Sequence, residues 1–181
     1  GYCFYRDETQ HREVACHGIM DRETLELTVR KALEAAEESC IFGFQGGEPT
    51  LAGLDFYKNV VELVDKYKKE GTYVGYSLQT NGILIDDEWL EFLKEHRFWV
   101  GLSIDGDRAI HDRNRPDAQG KDTYARTVKV WKELQKRKID STVLCVLTRQ
   151  SARRIRSVYE NFKKIGAFQL QFIPCLDPME R

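Results

Sequence analysis

Cys40-Ile41-Phe42-Gly43-Phe44-Gln45-Gly46-Gly47-Glu48-Pro49 runs from a short apolar strand straight into a glycine-rich loop. Beyond Gly53, Tyr57, Val60, Val61, Val64 and Tyr67 recur at helical spacing, and Gly71 closes that helix. The loop therefore joins a strand to a helix. Upstream, Asp21 is placed to cap a helix running to about Ser39, with Leu25, Val29, Ala32, Leu33 and Ala36 on one face. Strand, loop and helix are thus one unit of a repeating order.

The same order continues downstream. Thr72 to Leu78 reads as strand, Gln79-Thr80-Asn81-Gly82 as a turn, and Asp87 to His96 as a helix capped by Asp86. Phe98 to Ile104 is strand, Asp105-Gly106 turns the chain, and a polar loop reaches about Asp122. A helix carrying Tyr124, Val128, Trp131 and Leu134 follows, then strand from Ser141 to Leu147 and helix from Arg153 to Ile165. Gly166 ends that helix, Phe168 to Ile173 is the last strand, and Pro174 and Pro178 bracket a final turn. Alternation of this kind predicts an α/β fold with a mostly parallel sheet, its chain opening after a strand it does not contain. Pattern alone leaves a partial barrel and an open doubly wound sheet both standing.

Composition narrows the function classes. The 181 residues carry 28 Lys+Arg against 29 Asp+Glu, a net charge of −1, which offers nucleic acid or an anionic membrane no electrostatic attraction. No apolar run is long enough for a membrane span and no signal peptide opens the chain. Cys3, Cys16, Cys40, Cys145 and Cys175 are odd in number and irregular in spacing, which argues against a secreted disulfide framework and for reduced thiols in the cytoplasm. Cys40 and Cys145 fall inside strands and read as core.

Four stretches each follow a strand: Gln45 to Pro49, Gln79 to Gly82, Ser103 to Gly106 and Pro174 to Pro178. Parallel strands bring such stretches to one face, where α/β proteins carry their sites. Gly46 and Gly47 let a ligand approach the backbone, whose carbonyls can accept from an ammonium group; an ordinary tight turn is the plainer alternative. Ser103 and Arg115 together can hold a carboxylate, or serve only as strand-end and surface groups. Asp105, Asn81 and Asp177 read as turn residues. Aromatic-flanked Cys3 is a candidate metal thiolate or a buried thiol, and the adjacent pair Cys16-His17 does not match zinc-ligand spacing.

In combination these stretches resemble a known family. Tyr2-Cys3-Phe4-Tyr5 looks like the end of the radical S-adenosylmethionine cluster motif C-x3-C-x2-C, and Phe44 to Leu51 resembles that superfamily's GGEP motif. Ser77 to Gly82, Gly101 to Gly106 and Phe172 to Pro178 look specifically like the anaerobic sulfatase-maturating enzymes, which carry a SPASM extension. The resemblance spans nearly the whole chain. It implies a partial (β/α)6 TIM-like barrel of the radical SAM type lacking its first strand, with residues 1–181 forming one truncated core barrel.

The resemblance also implies roles. Cys3 would be the third thiolate of a [4Fe–4S] cluster. Tyr2 would meet the adenine amino group through its backbone, Gly46, Gly47 and Glu48 would form the turn at the methionine ammonium, with Gly47 accepting from it, and Leu176 would contact the adenine. Ser103 and Arg115 would bind the methionine and ribose portions, Arg115 at the carboxylate, while Gln45 and Tyr5 would lie near substrate. The implied activity is oxidation of a Cys or Ser in an unfolded sulfatase polypeptide to Cα-formylglycine through a 5′-deoxyadenosyl radical, with a low-potential electron donor as partner. The catalytic base and the auxiliary [4Fe–4S] clusters would lie outside this chain, as would the first two cluster cysteines, so the chain alone is expected to be inactive. Another SPASM peptide maturase forming thioethers or crosslinks, and a non-catalytic peptide-binding α/β module, are the alternatives.

Overall fold

A computed structural model describes residues 13–14 and 18–175. Five parallel strands pair in the order of the sequence: β1 Ser39–Phe44, β2 Tyr73–Thr80, β3 Trp99–Ser103, β4 Ser141–Leu147 and β5 Leu170–Pro174. Each strand lies beside its sequence neighbour, so the order never reverses. A doubly wound sheet needs such a reversal. The sheet curls into a half-barrel with its helices outside, which resolves the choice that pattern alone left open.

Helix α1 Arg22–Ala35 precedes β1, and the helices between strands are α2 Leu54–Tyr67, α3 Asp87–Glu95, α4 Arg108–Asn114, α5 Tyr124–Lys136, α6 Arg149–Arg153 and α7 Ile155–Lys164. The capping residues named from the sequence act as such: Asp21 accepts from the Thr24 backbone N–H at 2.7 Å and Asp86 from that of Trp89 at 3.0 Å. The α1 stripe buries Leu25, Val29 and Leu33 against Val60, Leu63 and Val64 of α2. The larger core lies between the outer face of the sheet (Leu78, Val100, Leu102, Val143 and Cys145) and the ring of helices bearing Tyr57, Trp89, Leu93, Trp131, Val158 and Phe162.

Several boundaries differ from the sequence reading: α1 ends at Ala35 rather than near Ser39, which instead opens β1, and β2 runs on to Thr80 through two residues read as turn. The polar loop after Asp105 contains α4, and the expected single helix from Arg153 begins at Arg149 and breaks at Arg154. The last strand starts at Leu170, leaving Phe168 86% exposed ahead of it. Cys145 is core as expected, whereas Cys40 is only half-buried.

Register defines the inner face of the half-barrel. Gly43 pairs with Ser77, Gln79 with Gly101, Gly101 with Thr142, and Ser103 with Leu144. Paired residues of parallel strands share a face. The concave side thus carries Gly43, Ser77, Gln79, Gly101 and Ser103 together with Trp99, Thr142 and Leu144, opposite the apolar core face. The packing is close along this floor: a Cβ on Gly43 would lie 3.3 Å from Ser77 Oγ, and one on Gly101 2.9 Å from Leu144 Cδ1.

Candidate functional site at the strand ends

The carboxyl ends of β1 to β5 form one rim, and the sequence places its polar residues there. After β1, Gln45 is exposed and Gly46 and Gly47 take φ values of 93° and 53°, a left-handed region open to glycine and strained for other residues. A Cβ built on Gly47 meets nothing among the described residues within 4 Å, so they leave that position unpacked.

Glu48 holds that loop. Its Oε1 accepts from the Thr50 backbone N–H at 3.1 Å, Thr50 Oγ1 at 2.6 Å and Thr80 Oγ1 at 2.7 Å, while its Oε2 accepts from the Asn81 backbone N–H at 2.8 Å. One carboxylate therefore joins the loop after β1 to the loop after β2. Thr80 Oγ1 in turn accepts from Gly82 N–H at 3.0 Å, and Tyr57 donates to the Pro49 carbonyl at 2.9 Å. The side chain of Glu48 is committed to protein donors, so it shapes the diglycine turn from behind.

Ser103 is the last residue of β3, half-buried on the concave face, two strands away from the diglycine loop. Two strand spacings are about 10 Å. Arg115 follows α4 as its C-cap, with its side chain 22% exposed. Its Nε donates to Asp105 Oδ2 at 2.8 Å. Asp105 itself is completely buried. Its Oδ1 accepts at 3.0 Å from Val146 N–H, a β4 ladder group left where β3 peels away. Burial raises the Asp105 carboxyl above the usual carboxylate range, against the pull of Arg115 and of the Val146 N–H.

His111, 1% exposed on α4, completes the arrangement. Asp105 N–H donates to its Nδ1 at 3.2 Å. Its Nε2 lies 3.0 Å from Thr123 Oγ1, and Thr123 Oγ1 donates to the Arg115 carbonyl at 2.5 Å. With Nδ1 accepting and the threonine proton committed, the proton of His111 sits on Nε2. Burial first, and then the Arg115 charge, push its pKa down to about 4, so the ring is neutral at ordinary pH. Cys145 behind Asp105 is pushed up to about 12 by burial and by that carboxylate, which makes it an inert core thiol.

The rim therefore brings together Gln45, Gly46, Gly47, Glu48, Ser103 and Arg115. Tyr2, Cys3, Tyr5 and Leu176, together with Cys16 and His17, lie outside the described residues. Among the described residues no group of His, Cys, Asp and Glu is arranged to hold a metal ion, and no helix is long and apolar enough to cross a membrane. Sequence reasoning took Asp105 for a turn residue and did not single out His111 or Thr123 as site residues. The available signal was an acidic residue at a strand tip between Ile104 and Gly106, ten positions before an arginine.

Comparison with known proteins agrees with this geometry. The chain is 45% identical over 178 residues to the cysteine-type anaerobic sulfatase-maturating enzyme of Clostridium perfringens, covering 98% of this chain and 48% of that enzyme. It is 36% identical over 179 residues to the serine-type enzyme of Klebsiella aerogenes, covering 97% of this chain and 43% of the relative. The solved structure of native anSMEcpe with bound AdoMet and Kp18Cys peptide superposes with a TM-score of 0.92 at 44% identity, across 99% of this chain and 48% of that one. The chain thus spans about half the length of the relatives it matches. Residues 1–161 match the radical SAM superfamily as a whole. With a half-barrel of sequential parallel strands and a diglycine loop at its rim, the chain belongs to the radical SAM superfamily.

Proposed function

We propose that this chain is the core barrel of a sulfatase maturase, which oxidises a Cys or Ser of a sulfatase polypeptide to Cα-formylglycine. The observation that carries the reading is the shared rim of the Gly46-Gly47 loop, Ser103 and Arg115, in a chain 45% identical to a cysteine-type maturating enzyme. The described polar groups suit S-adenosylmethionine: backbone carbonyls of the diglycine turn to accept from an ammonium, a hydroxyl for a ribose or carboxylate, and a guanidinium to donate to a carboxylate. In this reading Gly46, Gly47, Ser103 and Arg115 hold the amino-acid and ribose portions, and Glu48 fixes the turn. Tyr2 and Leu176 take the adenine, Cys3 supplies a thiolate to a [4Fe–4S] cluster, and Gln45 and Tyr5 approach the polypeptide. Residues 1–181 form one core barrel, and auxiliary clusters and the catalytic base belong to other parts of the enzyme.

When bound, the cluster and S-adenosylmethionine supply one-electron cleavage chemistry whose product removes hydrogen from a carbon. The chain's own contribution is positioning: in this reading the rim holds the nucleotide and the concave face bearing Gly43, Ser77, Gln79 and Gly101 turns toward the polypeptide. Electrons come from a low-potential donor, and a cytoplasmic setting suits the reduced thiols of Cys40 and Cys145.

The test uses the full-length protein, anaerobically reconstituted with iron and sulfide and given a peptide bearing the Cys or Ser of a sulfatase site. The expected outcome is a carbonyl at that residue, detected by mass and by hydrazine capture, with S-adenosylmethionine consumed in step. A crosslinked peptide would replace this reading with that of a different peptide maturase. An unchanged peptide with no dependence on S-adenosylmethionine would remove the enzymatic reading altogether.

A further inference from the structure

We infer that Asp105, together with the His111–Thr123 pair, is the positioning unit that presets Arg115 to receive the carboxylate of the sulfonium cofactor. The inference rests on the proposed S-adenosylmethionine site and adds to it residues that do not touch the ligand.

The argument begins with what an arginine on a loop lacks. Its side chain has several rotatable bonds, and freezing them on binding opposes affinity. Arg115 sits just past a seven-residue helix, where neither a strand nor a long helix holds its backbone. Among the described residues, two ties act on it besides the bond from its N–H to the His111 carbonyl at 2.8 Å that closes α4. The side chain is fixed at Nε by Asp105 Oδ2 at 2.8 Å. The backbone is fixed at its carbonyl by Thr123 Oγ1 at 2.5 Å.

Both ties trace back to Asp105. Its carboxylate takes Arg115 with one oxygen and the β4 backbone with the other, and its own N–H holds the His111 ring that orients Thr123. The donors run in one direction: Asp105 N–H to Nδ1, Nε2–H to Thr123 Oγ1, Thr123 O–H to the Arg115 carbonyl. Asp112 adds a further constraint by accepting from Thr123 N–H at 3.0 Å and Tyr124 N–H at 2.7 Å. A completely buried carboxylate is costly unless it is paired, and this one is paired to the arginine at the rim. Fixing a guanidinium through Nε also sets the plane in which its terminal nitrogens lie, and a carboxylate binds in that plane.

The experiment measures ligand discrimination rather than turnover. Equilibrium dialysis of the reconstituted full-length protein compares S-adenosylmethionine with its decarboxylated analogue, which lacks the group Arg115 would hold. Asp105→Asn keeps the shape and one acceptor oxygen. It is expected to weaken S-adenosylmethionine binding by on the order of tenfold while moving the analogue less than about twofold. Arg115→Gln should remove the same discrimination, and the double variant should be no worse than Arg115→Gln alone. Thr123→Val should reproduce part of the loss and Thr123→Ser should restore it, which keeps the test decisive if Asp105→Asn folds poorly.

Equal weakening of both ligands by Asp105→Asn and Thr123→Val would reduce the unit to a fold element and overturn the inference. So would unchanged discrimination in those variants alongside its loss in Arg115→Gln. Discrimination that survives Arg115→Gln would instead overturn the assignment of Arg115 to the carboxylate.

Discussion

At the scale of single residues, the rim is organised by buried polar groups rather than by the exposed ones that a ligand would meet. His111 gives this a measurable consequence. Its ring is neutral in the folded protein, with a pKa pushed down to about 4 from 6.5 by burial and by Arg115, while Asp112 pulls weakly the other way. The remaining close groups are Asp105, whose own carboxyl is shifted upward, and the Tyr124 ring at 5.6 Å. A histidine that resists protonation when folded but accepts it when unfolded makes the unfolded state bind more protons between the two values. Stability from His111 is therefore full above about pH 6.5 and is lost as pH falls toward about 4, a total of about 3 kcal/mol. Asp105 acts with the opposite sign just above 3.8, because its folded carboxyl holds its proton longer than the unfolded one. Comparing the protein with its His111→Gln variant cancels that term. In urea unfolding from about pH 7 to about pH 4, the stability gap between the two should narrow as pH falls. A gap that stays constant would show that the ring is not held neutral.

At the scale of elements, helix stripes and strand runs were readable because their side chains repeat with the period of the structure. Leu25, Val29 and Leu33 on α1, and Tyr57, Val60, Val61 and Val64 on α2, are buried as their spacing predicts. Helix α4 was not readable: in seven residues it buries only Ile110 and His111, too few to establish a period. The same limit hid the site's support. The diglycine loop, Ser103 and Arg115 announce themselves by residue type, but the Asp105–Arg115 pair depends on how the chain folds back after β3, which local pattern does not encode. Gly106 shows why that fold-back is strict. Its φ is +65°, and a Cβ there would lie 2.7 Å from Val158 Cγ2, a β-branched side chain fully buried on α7. Its carbonyl also accepts from Asn161 Nδ2 at 2.9 Å. The turn is thus pressed onto α7 directly beside Asp105. Gly106→Ala combines a left-handed backbone penalty with overpacking, so a loss of about 2–4 kcal/mol is expected in denaturant unfolding. A loss below about 1 kcal/mol would mean that the turn relaxes and is not what places Asp105.

At the scale of the whole molecule, the two apolar clusters differ in how they are anchored. The larger one joins β2, β3 and β4 to α2, α3, α5 and α7 and contains most of the fully buried large side chains, among them Trp131, Phe98 and Phe162. The smaller one, Leu25, Val29, Leu33, Val60, Leu63 and Val64, attaches α1 to α2 and to the flanks of β1 and β2. Helix α1 thus reaches the sheet mainly through another helix, and its ties to that neighbour at the surface are exposed pairs such as Lys66 to Glu26 and Arg22 to Glu62. Exposed pairs of this kind contribute little. The described rim groups proposed to bind the nucleotide sit instead at the ends of β1 and β3 and on the loop that Asp105 ties to β4. Stability should accordingly be graded, with the site on its firm side. Native-state hydrogen exchange is expected to show the amides of β2, β3 and β4, and the N–H of Val146 bonded to Asp105, exchanging only with global unfolding, while those of α1 open earlier. Leu33→Ala, which cuts a fully buried side chain from the smaller cluster, should speed exchange in α1 well beyond its effect on β3. If β3 and the Val146 amide speed up together with α1, the two clusters unfold as one unit, and the rim owes its rigidity to the entire molecule rather than to the sheet's centre.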